Sequence, residues 1–233
     1  SNFKFIVDVD IIVLCLPTPL RKKKIPDMSY INQTMKIITK YLKKGQAISL
    51  ESTTYPGTTK ELISDKLKNK FKIGKDFFII YSPERVDPGN KKFKLVSIPK
   101  VVSGISSNCQ KIGKKFYSLI FKKIIQANDT DVAEFSKLLE NIFRSVNIGL
   151  VNEMKLLAQI MKLDIYKIIK VASSKPFGFM PFYPGPGLGG HCIPIDPFYL
   201  TWKAKEYGMH TRFIELAGEI NQSMPKYVVD KLI

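Results

Sequence analysis

Short apolar runs alternate with stretches of helical periodicity between residues 11 and 126, and this alternation restricts the first half of the chain more than any other feature. Residues 11–17, 47–50, 77–81, 101–103 and 124–126 read as strands, and 29–43, 58–68 and 107–121 read as helices. A strand that is followed by a helix before the next strand implies a parallel sheet covered by helices. Ligands of such sheets bind outside the carboxyl ends of the strands, which is where LPTP (16–19), ESTT (51–54) and YSPER (81–85) fall. After Ala127 the pattern changes. Asn128, Asp129 and Thr130 offer N-cap chemistry. Val132, Phe135, Leu138, Leu139, Ile142, Val146, Leu150 and Met154 then form an apolar stripe at helical spacing, which predicts one long helix over 131–160. Further helices are expected over 165–173, 197–207 and 211–232, the last interrupted by Pro225.

Length and charge narrow the function classes. A chain of 233 residues buries one substantial core or two small domains. Its net charge of +17 comes from 37 Lys and Arg against 20 Asp and Glu, but Arg occurs only at 21, 85, 144 and 212. Runs such as 21–24 and 91–94 therefore read as solvated basic loops, not as a nucleic-acid recognition stripe, although the field favours an anionic ligand. Three scattered cysteines make no disulfide framework and suit a reducing cytoplasm. No apolar run approaches the roughly 20 residues of a membrane-spanning helix.

The densest chemical signal is GPGLGGHCIPIDP, which sets Cys192 in a glycine- and proline-rich loop with Asp196 four residues on. Gly185, Gly187, Gly189 and Gly190 leave backbone room for a ligand beside the thiol, so Cys192 reads as a nucleophile. His191 adjoins it, yet Cys15, Cys109 and His210 supply none of the spacings of a closed metal site. Asp196 is open to two readings: a cap for the helix that begins at Pro197, or a member of the site. Lys137 and Asn141 lie four apart and share a helical face, read either as a solvated polar stripe or as site residues. Glu84 and Arg85 sit just past a strand, with Arg85 free to pair with phosphate or with Glu51. Phe182 and Tyr183 are either core aromatics or pocket walls.

Five collinear segments carry a resemblance: LPTPL (16–20), ESTTYPGTT (51–59), YSPERVDPGN (81–90), AEFSKLLENIFRSVNIGLVNE (133–153) and PGPGLGGHCIPIDPFYL (184–200). The chain resembles the UDP-glucose and GDP-mannose dehydrogenases, and most closely their UDP-N-acetylhexosamine branch, since Ile195 stands where UDP-glucose enzymes often carry lysine. The resemblance implies an incomplete doubly wound NAD-binding domain over 1–127, lacking its glycine-turn unit, and a helical central domain over 128–233, without the C-terminal UDP-binding domain. It implies NAD as cofactor near Pro17, Thr18, Thr53 and Thr54, with Thr54 favoured over Thr53 as the catalytic threonine. The catalytic set becomes Cys192, Lys137, Asn141, Asp196, Glu84 and Thr54. The sugar nucleotide is met by Glu84, Arg85, Lys137, Asn141, Phe182, Tyr183 and Gly189. The implied reaction oxidises the C6 alcohol of a UDP-N-acetylhexosamine to the acid in two steps for surface-polysaccharide synthesis, in a cytoplasmic homodimer paired through the long helix. A UDP-glucose or GDP-mannose enzyme, or a silent remnant that dimerises or binds sugar nucleotide, is the alternative.

Overall fold

A computed structural model describes residues 3–86, 93–190 and 192–233. The chain divides into two compact units, Ser1–Leu138 and Leu139–Ile233.

The first unit is built on a five-stranded sheet. Its strands and helices follow as β1 (Ile11–Leu14), a small hairpin of β2 (Leu20–Arg21) and β3 (Ile25–Pro26), α1 (Ser29–Ile38), β4 (Ala47–Leu50), α2 (Asp65–Leu67), β5 (Phe78–Tyr81), β6 (Lys100–Gly104), α3 (Ser107–Ser118) and β7 (Ile124–Gln126). The sheet order is β1-β4-β5-β6-β7. Strands β1, β4 and β5 are parallel, with Leu14 opposite Leu50 and Leu50 opposite Tyr81. The expected parallel run stops there, because β6 pairs with β5 antiparallel. The 82–99 connection carries Pro83, Pro88 and Pro99 and no crossover helix among its described residues, so the chain returns beside β5 in the opposite sense. Helix α3 then crosses over to make β7 parallel to β6. This reversal places Lys100, the first residue of β6, at the same sheet edge as the carboxyl ends of β1, β4 and β5.

Packing explains the helices. Helix α1 buries Ile31, Met35 and Ile38 at helical spacing. Helix α3 is capped by Ser106, whose Oγ accepts from the Cys109 amide, and lies so near the sheet that a methyl on Gly113 would meet Ile80 and Val102 at 2.9 Å. The core joins Ala47, Ile80, Val102, Tyr117 and Phe121. The helix expected over 58–68 winds as a π-helix through Thr59–Ser64 before α2. The basic run 21–24 is the exposed tip of the β2–β3 hairpin, with Lys23 and Lys24 at φ 62° and 58° and Arg21 paired to Asp27 at 2.7 Å.

Helix α4 (Thr130–Ile160) begins in the first unit, where Asp129 caps the Val132 amide at 2.9 Å. That unit reaches Leu138 because Lys60 pairs with Asp131 and Glu134 bonds the 57–59 segment. The second unit holds the rest of α4 with α5 (Ile165–Ala172), α6 (Cys192–Ile195), α7 (Pro197–Lys205) and α8 (Arg212–Leu232). A methyl on Gly149 would stand 3.1 Å from Ala217, so glycine lets α4 and α8 approach closely.

The apolar stripe of α4 corrects the simple amphipathic expectation. Leu138 and Ile142 are buried, but Val132, Phe135, Leu139, Leu150 and Met154 face solvent. Glu134, Lys137, Asn141, Ser145 and Asn152 are buried instead. Among the described residues, no helix is long and apolar enough to cross a membrane.

Candidate active site

Site chemistry gathers in two places, one in each unit. In the first unit it lies at the sheet edge where β1, β4 and β5 end and β6 begins. Ser52 at the end of β4 ties down the LPTP segment: its Oγ accepts from the Leu16 amide and donates to the Leu16 carbonyl, both at 2.8 Å. Pro17 is exposed beside it, and Thr18 is buried. Thr54, preferred from sequence, is fully buried with no hydrogen-bond partner for its hydroxyl, whereas Thr53 is partly exposed. Both threonines of the pair therefore stay at this edge, Thr53 partly exposed and Thr54 with an orphaned buried hydroxyl.

Lys100 is the residue that sequence reading missed. Its side chain is 2 % exposed, and its ammonium lies 3.1 Å from Glu84 Oε2 and 3.4 Å from Glu51 Oε2. The rings of Tyr117 and Phe121 each lie 5.3 Å from the same nitrogen. Tyr117 donates to Glu51 at 2.6 Å, and burial, reinforced by the Glu51 charge, holds its phenol well above the ordinary tyrosine range. A buried ammonium persists only when it is paired, and here two carboxylates and two aromatic faces supply that pairing. Glu84 is fixed from its other oxygen as well, since Oε1 accepts from the Arg85 and Val86 amides at 2.7 and 2.9 Å. Its side chain remains 42 % exposed, an anchored carboxylate that still faces solvent. Arg85 donates to the Pro99 carbonyl at 2.9 Å, and the ion partner of Glu51 is Lys100. Cys15, exposed at the end of β1, has its thiol pushed up by burial and then by Glu51. No sequence pattern brings Lys100 to Glu84; the antiparallel return of β6 does.

Glu134 was likewise passed over. Its carboxyl accepts from the Gly57 amide at 2.7 Å, the Thr59 amide at 2.8 Å and the Thr59 hydroxyl at 2.7 Å, so it caps the π-helix. Burial outweighs these donors and raises its pKa to about 7. Lys137, one turn further along α4, is buried.

In the second unit Cys192 is exposed at the first position of α6, a short helix where a loop was expected. The Asp196 amide donates to the Cys192 carbonyl at 3.1 Å, which stacks the two residues one helical turn apart. Asp196 stands before Pro197 at the cap position of α7 but makes no capping bond. Its buried carboxylate accepts from Asn141 Nδ2 at 2.7 Å, and Asn141 Oδ1 accepts from Arg144. The polar face of α4 is therefore buried and hydrogen-bonded, not a solvated stripe. Phe182 packs edge-on to Phe143 with centroids 5.7 Å apart, while Tyr183 is exposed and no core residue. Gly189 is exposed with open space about it. His191 and residues 87–90 of the YSPERVDPGN segment lie outside the described residues.

Comparison with known proteins decides the family. The NAD-binding domain of the UDP-glucose/GDP-mannose dehydrogenase family matches residues 2–123, and its central domain matches residues 131–223. The chain belongs to this family. It is 37 % identical to UDP-N-acetyl-D-glucosamine 6-dehydrogenase of Pseudomonas aeruginosa, over all of this chain and 55 % of that protein. It is 35 % identical to UDP-N-acetyl-D-mannosamine dehydrogenase of Methanocaldococcus jannaschii, over 96 % of this chain and 51 % of that protein. The solved UDP-D-ManNAc dehydrogenase from Pyrococcus horikoshii superimposes with a TM-score of 0.91 at 32 % identity, over all of this chain and 55 % of that one. The chain spans about half the length of the curated relatives it matches. The first unit belongs to the family's NAD-binding domain. At its sheet edge Thr53 offers a partly exposed hydroxyl, a group that suits the polar half of a dinucleotide.

Proposed function

We propose that the protein oxidises the C6 alcohol of a UDP-N-acetylhexosamine to the uronic acid, supplying surface-polysaccharide synthesis from the cytoplasm. The observation that carries this reading is the Asp196 carboxylate, turned away from capping α7 and held by Asn141 one helical turn from the exposed Cys192 thiol. The names of the relatives support the substrate class.

Pro17, Thr18, Thr53 and Thr54 would hold the nicotinamide end of NAD. Two NAD molecules, bound in succession, would each accept one of the two hydrides that leave the sugar carbon. The protein handles everything else. The alcohol gives its proton to a base in the Lys137, Asn141 and Asp196 cluster, Lys137 and Asn141 stabilise the negative charge on the C6 oxygen, and loss of the first hydride leaves the aldehyde. Cys192 sulfur then bonds to the aldehyde carbon, and the oxygen takes a proton to give a thiohemiacetal. Loss of the second hydride and of the hydroxyl proton leaves a thioester on Cys192. Water cleaves it, oriented by Asp196 or by Glu84 on its Lys100 anchor, and the thiol is returned with the acid. A covalent sulfur explains how an aldehyde is carried to the acid without escaping. Arg85, Phe182, Tyr183 and Gly189 would line the path of the sugar nucleotide. We further read the protein as a homodimer, since α4 presents Phe135, Leu139, Leu150 and Leu157 on a solvent-facing side.

In the full-length protein, Cys192→Ser should lower acid formation roughly 10³-fold or more, since serine is a far poorer nucleophile. The measurement is uronic acid and NADH formed per UDP-sugar, with mass spectrometry for a protein-bound adduct. Acid formed at the unaltered rate with two NADH per sugar would overturn the covalent route.

A further inference from the structure

A chain of buried amides runs beneath the glycine loop. The Gly185 amide donates to Asn152 Oδ1 at 3.0 Å, Asn152 Nδ2 donates to Asn221 Oδ1 at 2.9 Å, and Asn221 Nδ2 donates to the Ser145 carbonyl at 3.0 Å. Asn152 is fully buried and Asn221 nearly so. Two buried asparagines contribute little net stability, because each gives up its hydration for bonds of similar strength. What they fix is geometry: α4, α8 and the start of the loop are held in one register.

A second contact seats the same loop on α8. Pro225 lies inside that helix and has no amide hydrogen for the Asn221 carbonyl. Gly187, at φ 123°, packs there, and a methyl on it would meet Pro225 Cγ at 3.0 Å and the Asn221 carbonyl at 3.4 Å. Asn221 thus stands close enough for its carbonyl to crowd a methyl at Gly187, and it holds Gly185 by way of Asn152. A cavity of about 200 Å³ beside these contacts is lined by Asn221, Pro225 and Leu188 together with Ile193 and Pro194 of α6, the helix that begins with Cys192.

We propose that Asn152 and Asn221 are positioning residues that hold the Gly185–Gly190 loop and so aim Cys192 at its substrate. This rests on reading Cys192 as the nucleophile. Cys192 itself is exposed, so its direction is set by the backbone that presents it, and a displacement of about 1 Å at a reacting centre can cost about 10²-fold in rate.

Amide hydrogen exchange on the unaltered protein tests the holding contact. The Gly185 amide should exchange at least about 100-fold more slowly than that of Gly189, corrected for intrinsic rates. Equal rates would overturn the proposal. Asn152→Leu and Asn221→Leu, each of which removes the amide, should release Gly185 to fast exchange while β4 and β5 stay protected. In the full-length protein kcat should fall about 10²-fold with KM for the UDP-sugar held within about threefold. Freed Gly185 exchange with unaltered kcat would overturn the positioning role. If both variants fail to fold, the unaltered protein's exchange rates decide. If Cys192→Ser still forms acid normally, the reaction assigned to Cys192 is wrong, and the exchange data judge the hold on the loop separately.

Discussion

Helix α4 has two faces that reverse the usual arrangement. One buries Glu134, Lys137, Asn141, Ser145 and Asn152, and the other shows solvent Phe135, Leu139, Leu150 and Leu157. Burying polar groups is costly unless they are bonded, and the partners are present: Glu134 with Gly57 and Thr59, Asn141 with Asp196 and Arg144, Asn152 with Gly185 and Asn221. Each bond has a direction and a length, so the polar face fixes where neighbouring segments sit. The apolar face needs only a covering surface, because burial of apolar area is non-directional. Substitutions on the two faces should therefore fail in different ways.

The comparison is broken most directly at Glu134. Replacing it with leucine leaves the buried Thr59 amide and hydroxyl and the part-buried Gly57 amide without their acceptor, and the expected loss is about 3–5 kcal/mol of folding stability. Urea unfolding at pH 6 measures it, and an unmoved midpoint would mean that the polar face is ornamental.

A smaller effect sharpens the same point through pH. The folded-state pKa of Glu134 is raised to about 7 from an ordinary 4.5, so the folded state holds this proton more tightly than the unfolded chain does. The contribution is present in full below pH 4.5 and is lost as pH rises through 7, a change of about 3 kcal/mol. Glu134→Gln carries no titrating proton. The stability of the unaltered protein relative to that variant should fall between pH 4.5 and 7, and parallel curves would show that burial does not govern this carboxyl.

The smallest expected effect belongs to the opposite face. Leu139→Gln and Leu150→Gln together should change the stability of the monomer by no more than about 0.5 kcal/mol for each site. They should nevertheless shift sedimentation from dimer to monomer at micromolar concentration. A large loss of stability with no change in assembly would show that this face packs within the monomer.

The strands ending at Leu14, Leu50 and Tyr81 and the long helix from Thr130 were legible because periodicity and turn chemistry are local. So was the closeness of Cys192 to Asp196, since a short motif carries its own spacing. The two readings of Asp196 could not be separated in the same way: capping and site chemistry ask for the same residue beside Pro197, and only the folded chain shows that its carboxylate bonds Asn141 and makes no capping bond. Thr53 and Thr54 differ in burial, which sequence does not show because neighbours in an irregular segment point to different sides.

The sequence by itself determined the alternation of strand and helix, the family and the chemical inventory, all of which depend on residues near one another in the chain. Tertiary structure decided which face of α4 is buried, that β6 returns antiparallel, and that Lys100 joins Glu51 and Glu84 although 49 and 16 residues separate them. Those outcomes rest on pairing between distant segments, where a buried charge or amide is stable only once its partner has been brought to it.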